Sequence, residues 1–221
     1  MRTVVFDLDG TLADTSGDLL AAANACFRAE GYGDLLGPLD AGTAMRGGRA
    51  MLTLGYERIG RTWTDAEMTA GYQRLIAAYA VDIDRHTVLY PGCVDAVRAL
   101  IGAGFATAIC TNKPAALAET LMQRLGVRDL FGSLVGADTL PVRKPDAAPY
   151  RLAVEQAGGD VARSILVGDT ETDRQTGISA GVPVVLVSFG PEGDTVARHA
   201  PEALLAHFDE LPELAERLLP R

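Results

Sequence analysis

Short apolar runs rich in β-branched residues alternate with helix-like segments along most of this 221-residue chain. Five of the runs have the length and composition of buried strands, at residues 3–6, 105–110, 134–136, 165–168 and 184–187. Strands that alternate with helices form βαβ units and pair in parallel. The sequence therefore predicts an α/β protein with a doubly wound, Rossmann-like parallel sheet.

The alternation stops between Asp14 and about Asp82, where amphipathic stretches follow one another without a convincing strand. Thr64 and Glu67 form a capping-box pattern, which predicts a helix over residues 68–79. This region is interpreted as an inserted all-helical subdomain. The predicted organisation is a core of residues 1–14 and 83–221 with a helical cap of residues 15–82.

Net charge and cysteine content indicate which partners the protein can bind and in which compartment it is found. A formal net charge of −9 disfavours nucleic acid and anionic membrane surfaces, which need many cations facing phosphates. Cys26, Cys93 and Cys110 are widely spaced and are interpreted as buried residues in a reducing compartment. The chain shows neither a signal-peptide core nor a run of about 20 apolar residues. We expect a cytoplasmic protein that binds neither nucleic acid nor membrane.

Asp7 and Asp9 follow the first predicted strand, and Gly10 lets the chain turn away from it. Open α/β sheets bind their ligands at the carboxyl ends of the strands. There, one aspartate can attack an electrophile while the other transfers protons, or both can hold a cation. Both residues are candidates for catalysis and for metal binding.

Thr111, Asn112 and Lys113 follow a second predicted strand and precede a helix that Pro114 opens. A hydroxyl, an amide and the N–H groups of a helix start favour an anion. Of the 20 basic residues in the chain, two are lysines, Lys113 and Lys144, and both fall where a strand leads towards a helix. This placement predicts compact positive charges at an anion site.

Asp169 follows the predicted strand 165–168, and Asp173 lies four residues later, in the first turn of the next predicted helix. Carboxylate oxygens gathered with water suit Mg²⁺, a hard cation that also bridges to phosphate. The ends of three predicted strands and the loop that contains Lys144 thus bring carboxylates, a hydroxyl, an amide and a positive charge to one edge of the predicted sheet.

These motifs together resemble the haloacid dehalogenase superfamily of phosphohydrolases. The matching segments are Asp7-x-Asp9-Gly10-Thr11, Thr111-Asn112, Lys144-Pro145 and Gly168-Asp169-Thr170-x-x-Asp173. The string Thr-Asn-Lys-Pro and a helical cap inserted after the first motif are similar to phosphoglycolate phosphatases in particular. The resemblance covers nearly the whole chain.

The resemblance implies a Mg²⁺-dependent phosphatase that acts on a small phosphorylated metabolite through an aspartyl-phosphate. Asp7 would be the nucleophile and Asp9 the general acid and base. Asp7, Asp169 and the backbone carbonyl of Asp9 would bind Mg²⁺, and Asp173 would do so through water. The implied phosphate-binding residues are Thr111, Asn112 and Lys144. Candidate substrate contacts are Lys113 and, in the cap, Arg46 and Arg49.

Other functions stay open at this point. Within the superfamily, they include a nucleotide, pyrophosphate or sugar-phosphate phosphatase and a sugar-phosphate mutase. A phospho-acceptor signalling domain also uses Asp, Thr, Lys and Mg²⁺ on a parallel sheet, and a binding protein with a relic site is a third class. The expected assembly is a monomer or a homodimer.

Overall fold

The computed structural model describes residues 1–220 and contains a six-stranded parallel sheet. The strands of the chain are β1 (Thr3–Phe6), β2 (Ala13–Asp14), β3 (Val88–Leu89), β4 (Ala106–Cys110), β5 (Ser133–Val135), β6 (Ser164–Gly168), β7 (Val184–Val187) and β8 (Ala203–Leu205). The order across the large sheet is β5-β4-β1-β6-β7-β8, and β2 pairs with β3 in a separate two-stranded sheet. The predicted α/β class with a parallel sheet is confirmed.

Nine α-helices are found in the described residues. They are α1 (Ser16–Ala29), α2 (Ala41–Met45), α3 (Gly48–Arg58), α4 (Asp65–Val81), α5 (Cys93–Gly102), α6 (Ala115–Arg124), α7 (Ala147–Gln156), α8 (Glu171–Ala180) and α9 (Leu211–Leu218). Across residues 1–220, none of them is long and apolar enough to cross a membrane.

Chain contacts divide the protein into two compact units. The first contains residues 1–13 and the chain from residue 89 onward, and the second contains residues 14–88. The second unit therefore runs six residues beyond the predicted end of the cap at residue 82. The reason is Asp18 in α1, whose buried carboxylate accepts hydrogen bonds from the backbone N–H groups of His86 and Thr87 at 2.8–3.0 Å.

The core of the first unit lies on the sheet. Val5, Leu166 and Leu186, on three different strands, pack in one buried cluster with Tyr150 of α7. Phe6 follows Val5 and its side chain points to the opposite face, where it meets Phe131 edge to face with ring centroids 5.9 Å apart. Both faces of β1 are therefore covered by apolar side chains. Functional groups are consequently expected where the strands end.

The second unit is built on α1–α4. Phe27 of α1 packs edge to face on Tyr56 of α3, with ring centroids 5.5 Å apart. Gly55 makes this possible, because a Cβ there would lie 2.1 Å from the Phe27 ring. The predicted capping box at the start of α4 is present, since the Thr64 hydroxyl accepts from the Glu67 N–H and the Glu67 carboxylate accepts from the Thr64 N–H.

Candidate active site at the carboxyl edge of the sheet

Three neighbouring strands end level with one another. Phe6 at the end of β1 pairs with Ile109 of β4 on one side and with Val167 of β6 on the other. Because the strands are parallel, the loops that follow all leave the sheet at the same edge. The functional residues predicted on the three loops of the first unit are thus brought together.

Asp7, Asp169 and Asp173 form an acidic cluster, with one carboxylate oxygen from each within 4.8 Å of the others. Asp169 and Asp173 are buried, whereas the Asp7 side chain is 13% exposed. The Oδ1 atom of Asp169 accepts a hydrogen bond from the Thr11 hydroxyl at 3.1 Å. Its Oδ2 atom is buried without a hydrogen-bond partner, which is costly in a polar group unless a ligand completes it.

Asp173 has both carboxylate oxygens engaged by the protein. Oδ1 accepts from the Lys144 ammonium at 2.7 Å. Oδ2 accepts from the backbone N–H groups of Asp169 and Thr170 and from the Thr170 hydroxyl, at 2.9–3.2 Å. Asp173 is thereby part of the capping box that opens α8. Its first task is to hold the loop of Asp169 and the ammonium of Lys144.

Lys144 places its ammonium between two aspartates, 3.1 Å from Asp7 and 2.7 Å from Asp173, with a side chain that is 1% exposed. Burial alone would lower the pKa of Lys144, yet the charges of Asp173 and Asp7 outweigh burial and raise it above its ordinary value. Lys144 is therefore a permanent positive charge beside Asp7.

Asp7 and Asp169 are harder to ionise than ordinary aspartates. Burial raises the pKa of Asp7 to about 6, with Lys144 lowering it and the charges of Asp173 and Asp9 raising it. Burial also raises the pKa of Asp169 well above its usual value, and the charges of Asp173 and Asp7 add to that rise. The cluster thus has more negative charge than Lys144 can balance, which is the electrostatic setting of a cation site.

The Asp9 carboxylate lies outside the acidic cluster. Its Oδ1 atom accepts from the ammonium of Lys113 at 2.7 Å, and the Lys113 side chain is 3% exposed. Asp9 is predicted to act both in proton transfer and in metal binding. A carboxylate outside the cluster is compatible with the first of these roles, and both roles stay predictions.

Asn112 uses its amide to bind another loop of the protein. Its Nδ2 atom donates to the backbone carbonyl of Lys144 at 3.0 Å, so the side chain ties two loops together. Thr111 is buried beside it, and its hydroxyl oxygen accepts from the Lys113 N–H at 3.2 Å. The Asn112 side chain thus holds the Lys144 loop, and its expected binding of phosphate stays a prediction.

Arg46 and Arg49, the predicted cap contacts, lie in the second unit and are exposed. Arg46 donates to the Thr43 hydroxyl at 2.9 Å, and Arg49 donates to the Thr69 hydroxyl at 3.2 Å. Both guanidinium groups thus have local partners within the helical unit. Their role towards substrate stays a prediction.

Thr11 and Gly168 belong to the sequence motifs, but their roles become visible only in the structure. Thr11 orients Asp169 through the hydrogen bond described above. Gly168 ends β6 directly beneath Asp173, since a Cβ at this position would lie 2.3 Å from the Asp173 Cγ atom. The signal in the sequence was their place inside the motifs, but the partner of each residue depends on the fold.

The three cysteines are free and buried, as the sequence predicts. Burial raises the pKa of Cys93 to about 11 and that of Cys110 to about 12. Neither thiol is therefore available as a thiolate ligand or nucleophile at neutral pH.

Metal-free protein carrying Asp169→Asn is expected to melt at a higher temperature than the metal-free wild type near neutral pH. Folding raises the pKa of Asp169, so wild-type stability is lost as the pH rises above the ordinary carboxyl value of 3.8. Asparagine has no charge to desolvate, and its Oδ1 atom can still accept from Thr11. Calorimetric melting in EDTA from about pH 4 to 8 tests this. Melting temperatures that respond equally to pH in both proteins would contradict it.

Comparison with known proteins places the chain in a family. Residues 1–181 match the family model described as haloacid dehalogenase-like hydrolase. A protein of Mesorhizobium japonicum named phosphoglycolate phosphatase is 38% identical over 220 residues, covering 98% of this chain and 96% of that relative. A protein of the same name from Caulobacter vibrioides is 35% identical over 219 residues, covering 98% of this chain and 92% of that relative.

Solved structures agree on the fold. A predicted phosphoglycolate phosphatase from Haemophilus somnus superposes with a TM-score of 0.84 at 22% identity, with 97% of each chain covered. This match supports a shared fold over 97% of this chain. By the family model and by its curated relatives, the chain belongs to the haloacid dehalogenase-like hydrolase family.

Proposed function

We propose that the protein is a Mg²⁺-dependent phosphatase that hydrolyses a small phosphomonoester through an aspartyl-phosphate on Asp7, with phosphoglycolate as the substrate. The observation that carries the proposal is the site itself. Asp7 lies 3.1 Å from the Lys144 ammonium and beside two buried aspartates, at the end of the central strand. The relatives named phosphoglycolate phosphatase support the choice of substrate.

The side chains of the acidic cluster are suitable for binding a divalent cation. Asp169 has a buried oxygen without a hydrogen-bond partner, and the pKa values of Asp7 and Asp169 are raised by burial and by neighbouring carboxylates. Asp7, Asp169 and the backbone carbonyl of Asp9 would bind Mg²⁺ directly, and Asp173 would act through water because its oxygens are already engaged. When bound, Mg²⁺ supplies positive charge that keeps Asp7 ionised and offsets the charge of the phosphate.

In the first chemical step, a carboxylate oxygen of Asp7 attacks phosphorus and the bond from phosphorus to the ester oxygen breaks. The electron pair goes to that oxygen, which takes a proton from Asp9 and leaves as an alcohol. Lys144 reduces the repulsion between the Asp7 carboxylate and the phosphate oxygens, because its ammonium is fixed beside Asp7.

In the second step, water attacks the aspartyl-phosphate and gives a proton to the Asp9 carboxylate. The bond from phosphorus to Asp7 breaks, so inorganic phosphate leaves and both aspartates return to their starting states. Asp9 is suited to both transfers because its carboxylate lies outside the acidic cluster and is 18% exposed.

We expect 2-phosphoglycolate to give the highest kcat/KM in a panel that also contains sugar phosphates, nucleoside monophosphates and pyrophosphate, with turnover lost in EDTA and restored by Mg²⁺. Phosphate release measures this directly. If Arg46 or Arg49 binds the substrate carboxylate, replacement of that arginine by Gln lowers kcat/KM for 2-phosphoglycolate. The value of kcat/KM for p-nitrophenyl phosphate, which has no such carboxylate, stays unchanged. A single phosphorylation without release would instead identify a phospho-acceptor domain. A better substrate within the panel would replace phosphoglycolate in the proposal.

The same proposal places the protein in the cytoplasm, where small phosphorylated metabolites are found.

A further inference from the structure

The proposed chemistry uses one of the two lysines of the chain and leaves the other without a task. Lys144 balances the charge of Asp7, but Lys113 is named only as a candidate substrate contact. Lys113 is nevertheless buried, which is expensive for an ammonium group unless it is paired. Its placement requires an explanation of its own.

The ammonium of Lys113 donates to Oδ1 of Asp9 at 2.7 Å. Within this pair, the Lys113 side chain is 3% exposed and the Asp9 side chain is 18% exposed. Asp9 is thus the partner that faces outward, and Lys113 lies behind it. This order suits a residue that acts on substrate through Asp9 better than one that contacts substrate itself.

The backbone of Lys113 is anchored on both sides. Its N–H donates to the Thr111 hydroxyl oxygen at 3.2 Å, and its carbonyl accepts from the N–H of Ala137 at 3.0 Å. The first bond lies within the loop after β4, and the second connects this loop to the segment after β5. The ammonium therefore reaches Asp9 from a support that is fixed to the sheet.

Asp9 itself lies in a tight loop after β1. The N–H groups of Thr11 and Leu12 donate to the carbonyl of Leu8, which fixes the backbone around Asp9. These bonds do not restrain the carboxylate, which rotates about two side-chain bonds. A general acid works only within hydrogen-bond reach of the atom that it protonates, so this rotation has to be restrained. The short bond from Lys113 provides that restraint.

We propose that Lys113 is a positioning residue, which holds the Asp9 carboxylate in the orientation required for proton transfer with the leaving oxygen. This inference rests on the proposed function, because it takes from it the role of Asp9. It assigns Lys113 to proton transfer and not to substrate binding. Its effects should therefore depend on whether the leaving group needs a proton.

The test compares Lys113→Met with wild type on two phosphomonoesters, in single-turnover experiments that follow the first step. For 2-phosphoglycolate, whose leaving group is a basic alkoxide, we expect a rate loss of about 100-fold, within the range that general acid catalysis contributes. For p-nitrophenyl phosphate, whose leaving group departs without a proton, we expect less than about a 5-fold loss. Lys113→Arg keeps the charge and should recover part of the rate.

Arg151→Met is the matched control, because it removes one cation from an exposed position on α7 of the same unit. It should leave both rates unchanged. Equal rate losses for the two esters in Lys113→Met would overturn the inference, and so would a rise in KM with kcat unchanged, which would identify a substrate contact. If the wild type hydrolyses neither ester, the proposed function itself fails.

A double-mutant cycle with Asp9→Asn gives an independent measurement. If Lys113 acts through Asp9, the Lys113→Met change costs less than about 3-fold on the Asp9→Asn background. An undiminished cost on that background contradicts the inference. Melting curves show whether Lys113→Met is folded. If it is not, the ratio of the two ester rates in Lys113→Arg, compared with wild type, decides the question.

Discussion

Replacing Asp7 with asparagine is expected to abolish phosphate release, with kcat lowered by roughly four orders of magnitude or more. The amide has the shape of the carboxylate but is not a nucleophile, so the aspartyl-phosphate cannot form. Steady-state phosphate release with Mg²⁺ measures the loss. Trapping of the phosphorylated protein in acid, followed by mass spectrometry, should detect a modified Asp7 in the wild type alone.

The control for this variant is Asp129→Asn, which removes an exposed carboxyl of the first unit away from the β1, β4 and β6 strand ends. It should keep wild-type kcat. A kcat above about 1% of wild type in Asp7→Asn would remove Asp7 as the nucleophile. Covalent phosphate on another residue of the wild type would have the same consequence.

The second large effect is expected from Lys144→Arg, with kcat reduced at least about 100-fold although the positive charge is kept. The ammonium sits within 3.1 Å of both Asp7 and Asp173, and its side chain is 1% exposed. A planar guanidinium is larger and cannot take this place without shifting both aspartates. Phosphate release and Mg²⁺ titration measure the effect.

The matched control is Arg143→Lys, the reverse exchange at the exposed neighbouring position, which should change neither kcat nor KM. Lys144→Met should be less stable than Lys144→Arg, because it leaves the Asp173 carboxylate buried without its cation. Breaking a buried pair in this way costs about 3–5 kcal/mol of stability. Wild-type kcat in Lys144→Arg would show that charge alone is required at this position.

Local patterns predicted five strands of the large sheet to within one residue at each end and missed the sixth, β8. β1 and β7 have the predicted bounds, since both are buried on both faces and are apolar throughout except for Thr3 at the start of β1. The strand β8 was missed because the residues around Ala203–Leu205 read as helix formers. Its strand conformation comes from pairing with β7, where Val185 lies opposite Ala203. Such pairing depends on the tertiary fold, which outweighs local propensity.

In the candidate site, too, local patterns predicted some features, whereas others depend on the tertiary fold. Spacing after predicted strands was enough to bring Asp7, Asp169 and Asp173 together, since the rule for parallel sheets fixes the edge they share. The partners of Asn112 and Lys113 could not be predicted in this way. Their contacts join residues 32 and 104 positions apart, and they depend on how each loop turns after its strand.

The burial of both lysines has a consequence for the chemistry of the molecular surface. With side chains 3% and 1% exposed, Lys113 and Lys144 are shielded from acylating reagents, and the remaining 18 basic residues are arginines, which such reagents do not modify. Acylation of a lysine side chain therefore requires the catalytic edge of the sheet to open. The extent of that reaction reports how often the folded protein exposes its own active site.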